Sequence, residues 1–558
     1  MSYQYYTAIP ADATQEEIIE IAANLTPSPR QFNWQQMELT AFLHFGMNTF
    51  TGQEWGNGTE NPQLFNPSEL DAEQWVTTCK NAGFKLVILT AKHHDGFCLW
   101  PSAYTEHSIK NSPYKNGMGD VVREIADACA KYNMKLGVYL SPWDRNSPHY
   151  GTDAYNDYFV NQLTELLTNY GTISEVWFDG ANGEGPNGKR QEYDWDQYAI
   201  TVRQLQPEAV MAIAGKDVRW VGTETGYGSE TEWSVVSIRE DPRILGDSPE
   251  QITLGFKNSS VVSGTREALS KAQFIMWYPA ETDVSIRPGW FYHSEEDNQV
   301  KTPDILFDIY CSSVGRNGGL LLNIPPDSRG LISDIDIDAL TKFKEIREQT
   351  FTQNLLKNAA ITCSNGINNP AFIDNNYNTF WTTSGTDNTT VIEFVSDREI
   401  CFDLLELQEN IKIGQRIESF RLEHFSGSSW VEITRGTTVG YKRILRFEPT
   451  TARQIRLVIE SSRMNPALSE IGLYKQVKMN TTGIHTIKKQ TDLASVFSLN
   501  NRSYIETNQA GDLQIYDLQG RLVDSKTITA GITELPSKNG IYFIRFNSGK
   551  QFKILKLN

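Results

Sequence analysis

The chain has 558 residues, 39% hydrophobic and 11% aromatic, with a formal charge of −17, a composition that excludes disorder and leaves room for about two to four domains. The acidic balance, without a long Lys/Arg run, argues against nucleic acid or an anionic membrane as partner. No apolar run reaches the roughly 18–20 residues of a membrane-spanning helix, and the start MSYQYYTAIPADATQEE lacks the charged region and apolar core of an intact signal peptide.

From residue 41 short apolar runs alternate with amphipathic stretches. The runs are AFLHFGMN (41–48), FKLVILTAK (84–92), KLGVYLSP (135–142), EVWFDG (175–180), VMAIAG (210–215), RWVGTE (219–224), FIMWYPAE (274–281) and GLLLNIPP (319–326). Between them, SELDAEQWVTTCKNAGF carries a cap at Asp71 and a stop at Gly83, and GDVVREIADACAKYNM and DAYNDYFVNQLTELLTNYG repeat the i, i+3, i+4, i+7 pattern of helices. Near-continuous apolar strands joined by helices predict a parallel sheet covered on both faces. Eight such strands predict a (β/α)8 TIM-like barrel over residues 1–355, closed by the helix ISDIDIDALTKFKEIREQTF. A doubly wound open sheet is the alternative, but no GxGxxG follows the first strand.

Over residues 356–476 helices nearly vanish, and AAITCSNG, TTVIEFVS, CFDLLELQEN, SFRLEHFS, WVEITRGTT, ILRFEP and QIRLVIES predict an all-β sandwich or jelly roll. NTTGIHTIKKQ reads as a polar linker, and residues 485–558 as a small β domain with LQIYDLQGRLV and GIYFIRFNSGKQFKILKLN as hairpin-like segments. The six cysteines (Cys79, Cys98, Cys129, Cys311, Cys363, Cys401) form no CxxC and no zinc spacing, and read as buried free thiols. Thirteen Trp and 23 Tyr serve core packing or, alternatively, the stacking of sugar rings.

In such a barrel the reacting groups sit at the C-terminal ends of the strands. There the chain places His44 and Asn48, then His93, His94 and Asp95, then Tyr139, Ser141, Trp143 and Asp144, then Trp177 and Asp179, then Glu224. Tyr278, Glu281 and Asp283 follow, with Trp290 just beyond in RPGWFY. Asp179 ends the apolar run of EVWFDGANGEG; it could cap a loop, bind a metal or do chemistry, and the glycines after it read as a loop leaving room for a substrate. A metal centre needs three or more His and carboxylate ligands from different strands. No HxH or HExxH occurs, and His107, His149, His293, His424 and His485 show no ligand spacing. Asp95, before Gly96, reads as a loop cap, and Glu230 and Glu232 in SETEW as solvated residues at a helix start. Two carboxylates with aromatics and neutral donors suit glycoside hydrolysis, in which one carboxylate attacks or orients water and the other protonates the leaving oxygen. Asp179, at a rigid strand end, suits the first role, and Glu224, in a glycine-flanked loop, the second.

FLHFGMNTFTGQEWG, LTAKHHDGFCLW, GVYLSPWD and EVWFDG, in this order through about residues 35–350, resemble the α-L-fucosidases of glycoside hydrolase family 29. The resemblance implies hydrolysis with retention through a covalent fucosyl-enzyme, with Asp179 as nucleophile and no cofactor. It implies a fucose pocket made by His44, Glu54, Trp55, His93, His94, Tyr139 and Trp177. RWVGTETGYGSETEWS resembles the subfamily that cuts α-1,3 and α-1,4 linkages on branched glycans such as Lewis antigens. That implies Glu224 as acid/base, with Glu281 and Glu230 competing, and aglycone contacts in the 220–290 loops, Asp283 and Trp290 among them. Competing readings are a broad α-fucosidase taking 1,2 or aryl fucosides, a non-catalytic fucose-binding barrel, and a metal hydrolase.

AFIDNNYNTFWTT, and RQIRLVIESS followed by LSEIGLYK, resemble a discoidin-like (factor V/VIII type C) sandwich, which implies support of the barrel or sugar binding, and a structural calcium near Asp374. IYDLQGRLV, GIYFIRF and the basic KILKLN end resemble the C-terminal sorting domain of the type IX secretion system. That implies a periplasmic, secreted or cell-surface protein with its signal peptide trimmed, acting on fucosylated oligosaccharides or glycoconjugates; an ordinary accessory β domain is the alternative.

Overall fold

The computed structural model describes residues 5–238, 264–365, 370–478 and seven strands between residues 494 and 557. The chain divides into Met1–Met479 and Asn480–Asn558. The expected linker NTTGIHTIKKQ and His485 lie outside the described residues.

Eight parallel strands form the first sheet: β1 (Leu39–Leu43), β2 (Leu86–Lys92), β3 (Lys135–Leu140), β4 (Ile173–Phe178), β5 (Val210–Ile213), β6 (Arg219–Trp220), β7 (Ala280–Ser285) and β8 (Gly318–Asn323). Their order is β5-β4-β3-β2-β1-β8-β7-β6, so the barrel is nearly closed. Between β5 and β6 the seam is spanned by an antiparallel bridge, Ala214 to Arg219, with no parallel ladder among the described residues. The connection there is too short for the crossover a parallel pair requires.

The helices α1 (Ala72–Asn81), α2 (Val121–Tyr132), α3 (Ala154–Asn169), α4 (Trp195–Leu205), α5 (Pro303–Ser313) and α6 (Asp334–Phe351) belong to the same unit. Asp71, Asp120 and Asp194 cap α1, α2 and α4 by accepting the N–H three residues on. Their apolar faces, such as Val121, Val122, Ile125 and Cys129 on α2, share one buried core with the outward residues of the strands. Trp34 packs against β8 so closely that a Cβ on Gly319 would lie 2.6 Å from its ring.

Two expected strands are placed differently. FIMW (Phe274–Trp277) is not a barrel strand; it pairs antiparallel with Tyr6–Ala8 and Val235–Ile238. Pro279, with a fixed φ and no N–H, separates it from β7, whose sequence AETDVS is polar yet wholly buried. The sixth strand is only two residues long, and residues 221–234 follow as irregular chain. SETEW therefore starts no helix. Glu230 is exposed as expected, but Glu232 is buried in an ion pair with Arg219, because its loop is covered by the domain that follows.

That domain is a seven-stranded antiparallel sheet containing Ala360–Cys363, Trp381–Thr382, Thr390–Glu409, Ile417–Phe425, Trp430–Gly436, Arg443–Ser462 and Ala467–Tyr474, with its own apolar core. It meets the barrel directly. Thr438 Oγ1 accepts Glu232 N–H at 2.9 Å, Arg443 donates to the Glu230 carbonyl at 2.7 Å, and Ile444 N–H donates to the Gly315 carbonyl at 2.8 Å. The second unit carries a three-stranded and a four-stranded antiparallel sheet. Cys79, Cys98, Cys129 and Cys311 are buried free thiols, whereas Cys363 is half-buried and Cys401 exposed. Cys401 lies on the outer face of a strand whose neighbours Ile400 and Phe402 point inward. Among the described residues no helix is long and apolar enough to cross a membrane.

Candidate active site

Strand alternation aims every second side chain of a barrel strand inward. Phe42 and His44 on and just after β1, Tyr139 on β3, Trp177 and Asp179 on and after β4, and Asp283 on β7 therefore converge. With Glu54, Trp55, His93, His94, Ala181, Glu224 and Trp290 they line one cavity of about 140 Å³. Asp179, Glu224 and the nine residues expected to bind fucose or aglycone are in this set, whereas Asn48, Asp95, Ser141, Trp143, Asp144, Tyr278 and Glu281 from the expected strand ends are not. Phe42 and Ala181 were not anticipated; Phe42, two residues before His44 on one strand face, carried a period-two signal.

Asp179 is held from two sides. Its Oδ2 accepts the Tyr139 hydroxyl at 2.9 Å and its Oδ1 the Ala181 N–H at 2.8 Å. Burial, then the Asp179 charge, push the Tyr139 phenol well above its usual range, so it stays a donor. His94 Nε2 lies 3.7 Å from Asp179 Oδ2. The Ser141 hydroxyl donates to the Trp143 carbonyl at 2.6 Å, so His94 Nδ1, 2.7 Å from Ser141 Oγ, must be the donor in that contact. His94 Nε2 is then free to accept from a ligand when the ring is neutral.

The other histidines are kept neutral. Burial pushes His44 down to about 3, and its Nδ1 donates to Asn323 Oδ1 at 2.9 Å. Burial, with His94 and His44 beside it, holds His93 well below its usual value; its ring stacks on Tyr139 at 5.7 Å. A pocket of neutral imidazoles, a phenol and aromatic faces suits an uncharged polyol with an apolar patch.

Trp290 leans on His44, ring centroids 5.1 Å apart. Glu54 lines the cavity, but its carboxylate is occupied by the loop that carries Trp290. Oε2 accepts Trp290 N–H at 2.8 Å, and Oε1 pairs with His293 Nε2 at 2.7 Å. His293 thus has a role at the site that its spacing did not reveal. Trp55 is 59% exposed and meets Trp143 edge-on at 5.9 Å, at the rim.

Glu224 is exposed as a residue, yet its carboxyl reaches into the cavity. Loss of water raises its pKa; a hydrogen bond from Trp290 opposes this, and the Asp179 charge adds to it. Asp283 is buried beside it, pushed well above the carboxylate range by burial, and accepts Trp220 Nε1–H at 2.7 Å. The two competitors lie elsewhere. Glu281 is buried in the barrel interior, receiving Trp177 Nε1–H at 2.8 Å. The Glu230 side chain is 81% exposed beside Arg316. Neither lines the cavity.

Asp95 caps its loop as expected, accepting Phe97 N–H at 2.8 Å. Among the described residues no three His, Cys, Asp or Glu side chains gather as metal ligands. In the β domain, Asp374 accepts Asn376 N–H and the Thr379 hydroxyl. Nearby Glu470 has a buried Oε1 without a partner, and its pKa is pushed up to about 7 by burial, with Asp374 contributing. Two carboxylates and a threonine hydroxyl are hard-oxygen donors of the kind calcium takes.

Residues 26–345 match the family model described as alpha-L-fucosidase, and residues 499–557 match that of a secretion system C-terminal sorting domain. The chain is 43% identical over 486 residues to alpha-L-fucosidase 1 of Arabidopsis thaliana, covering 84% of this chain and 92% of that protein. A candidate alpha-L-fucosidase from Bacteroides ovatus superposes with a TM-score of 0.77 at 43% identity, covering 99% of this chain and 95% of that one. A Ruminococcus gnavus GH29 fucosidase in complex with fucose gives a TM-score of 0.71 at 34% identity, covering 82% and 96%. A nearly closed parallel barrel with a cavity of neutral imidazoles, aromatics and carboxyl groups, matched over its whole length, places the chain in the alpha-L-fucosidase family, glycoside hydrolase family 29.

Proposed function

We propose that the protein is a retaining exo-α-L-fucosidase in which Asp179 is the nucleophile and Glu224 the acid/base. The observation that carries this is the contrast between Asp179 and Glu224, which both line the cavity. Asp179 is held in place by the Tyr139 hydroxyl and the Ala181 N–H, while desolvation, with the Asp179 charge beside it, raises the pKa of Glu224. In the first step Asp179 attacks the anomeric carbon, the glycosidic bond breaks, and the Glu224 proton goes to the departing oxygen. Esterification removes the Asp179 charge, which lowers the Glu224 pKa and suits the residue to take a proton from water in the second step. His44, His93, His94, Tyr139 and Trp177 read the fucose, and the small cavity suits a single terminal sugar.

The leading substrate is α-1,3/1,4-linked fucose on branched glycans of Lewis type, with Asp283 and Trp290 facing the sugar beyond the scissile bond. The sorting-domain match supports a secreted or cell-surface location, and the β domain is proposed as a discoidin-like module that supports the barrel and holds calcium through Asp374 and Glu470. Digestion of a panel of fucosylated oligosaccharides, with Asp179→Asn as control, tests the reading. Lewis-type trisaccharides should be cut much faster than aryl or 1,2-linked fucosides, Asp179→Asn should be nearly inert, and azide should restore turnover of an activated aryl fucoside by Glu224→Ala. Normal turnover by Asp179→Asn overturns the nucleophile; equal rates across linkages overturn the specificity.

A further inference from the structure

Glu175 on β4 and Glu281 on β7 meet inside the barrel, and the chemistry above gives them no part. Glu281 Oε1 accepts Trp177 Nε1–H at 2.8 Å, and Glu175 Oε2 accepts Trp34 Nε1–H at 3.0 Å. Both are buried. Their other oxygens, Glu175 Oε1 and Glu281 Oε2, are buried and find no donor among the described residues, and the two carboxyls lie close enough to perturb each other. One proton held between them would satisfy both oxygens, since an ionised carboxylate can accept but not donate. Burial raises both groups above the ordinary carboxylate range, and their mutual charge raises Glu281 further. An apolar pair of similar volume would fill the space at no electrostatic cost. What the acids supply is direction: an acceptor for each indole in one orientation.

We propose that Glu175 and Glu281 share a proton and form a buried positioning pair that fixes Trp177 at the cavity floor and, through it, the alignment of Asp179. Trp177 stacks on Tyr139, centroids 5.4 Å apart and rings at 30°, and Tyr139 holds Asp179 Oδ2. A tilt of the indole therefore passes to the reacting oxygen through two contacts. The pair acts on rate, not on proton transfer to the leaving group. This rests on Glu224, rather than Glu281, being the acid/base.

The test compares Glu281→Gln with Glu281→Leu. Gln keeps an acceptor for Trp177 and offers its amide N–H to the Glu175 carboxylate; Leu removes both. Gln should retain kcat/KM within about threefold, and Leu should lose on the order of 100-fold, mostly in kcat, with azide restoring nothing. Trp177→Phe should also lose activity, and adding Glu281→Leu to it should cost little more, because the two act as one unit. Full activity in Glu281→Leu, or in Trp177→Phe where the Leu variant fails to fold, overturns the proposal. So does Glu281→Gln as inactive as Leu with rescue by azide, which makes Glu281 the proton donor. Glu224→Gln run in parallel separates the cases: near-normal turnover there overturns the acid/base reading together with the pair's role.

Discussion

Gly183 lies against the indole of Trp143: a Cβ at position 183 would sit 2.2 Å from Trp143 Cζ2. The same indole donates to the Glu184 carbonyl at 3.1 Å and packs on His94 at 4.8 Å. Gly185 meets Tyr150 in the same way, its Cβ falling 2.4 Å from the ring. These glycines therefore let the loop after Asp179 press down on a wall of aromatics, rather than merely leaving room for a substrate. Gly183→Ala should move the loop or Trp143, destabilise by about 1–3 kcal/mol and lower kcat/KM. Gly180→Ala, whose Cβ would meet nothing within 4 Å, should leave the melting temperature unchanged. Thermal unfolding of the two variants checks the contrast; equal melting temperatures would sink it.

Tyr139→Phe keeps the ring that stacks on Trp177 and His93 but removes the donor to Asp179. A hydrogen bond to a charged group contributes about 1.5–3 kcal/mol, so kcat/KM should fall on the order of 10- to 100-fold while the fold is kept. Steady-state kinetics and circular dichroism on one preparation measure both. An unchanged kcat/KM would mean that the phenol does not support the nucleophile.

The rim residues were legible because barrel chemistry puts polar groups at the ends of apolar runs, and His44, His93, His94, Tyr139 and Asp179 all stand there. Misreadings came where polarity and burial part company. FIMW is apolar enough to pass for a buried barrel strand, whereas β7 is AETDVS, polar because it faces the site and the interior acids. Glu232 looks solvated in SETEW, but its covering surface, Thr438 and Arg443, is more than 200 residues away in sequence. Likewise nothing near Glu54 in the chain announces His293, and nothing near Glu175 announces Glu281. Those pairs exist only through tertiary contact.

The environment of Glu224 fixes the sign of the pH dependence. Its pKa is raised, and the acid must be protonated to start the reaction, so kcat/KM should decline as pH rises through that value. His44, held near 3, contributes no limb at pH 6–7. Asp179→Asn removes a neighbouring negative charge and should lower the Glu224 pKa, which titration by carbon-detected NMR reads directly; no downward shift would remove the coupling. Glu224→Ala assisted by azide should lose the alkaline limb on an activated aryl fucoside, and its survival there would assign the limb to another group.

Calcium gives the last prediction. Glu470 pairs a raised pKa with an unpartnered buried oxygen, close to Asp374, and a divalent cation would satisfy that oxygen and displace the proton. Because the ion would bind the folded state only, stability should rise by RT ln(1 + [Ca²⁺]/Kd), about 2.7 kcal/mol at a hundredfold excess over Kd. The melting temperature should therefore climb with calcium and fall with chelator, more steeply at pH 8 than at pH 6, since protonated Glu470 competes with the ion. Glu470→Gln should abolish the response and leave turnover of an aryl fucoside intact, because the site is in the β domain and not at the cavity. A melting temperature indifferent to calcium in the parent protein would exclude the ion, and an equal response in Glu470→Gln would move it elsewhere.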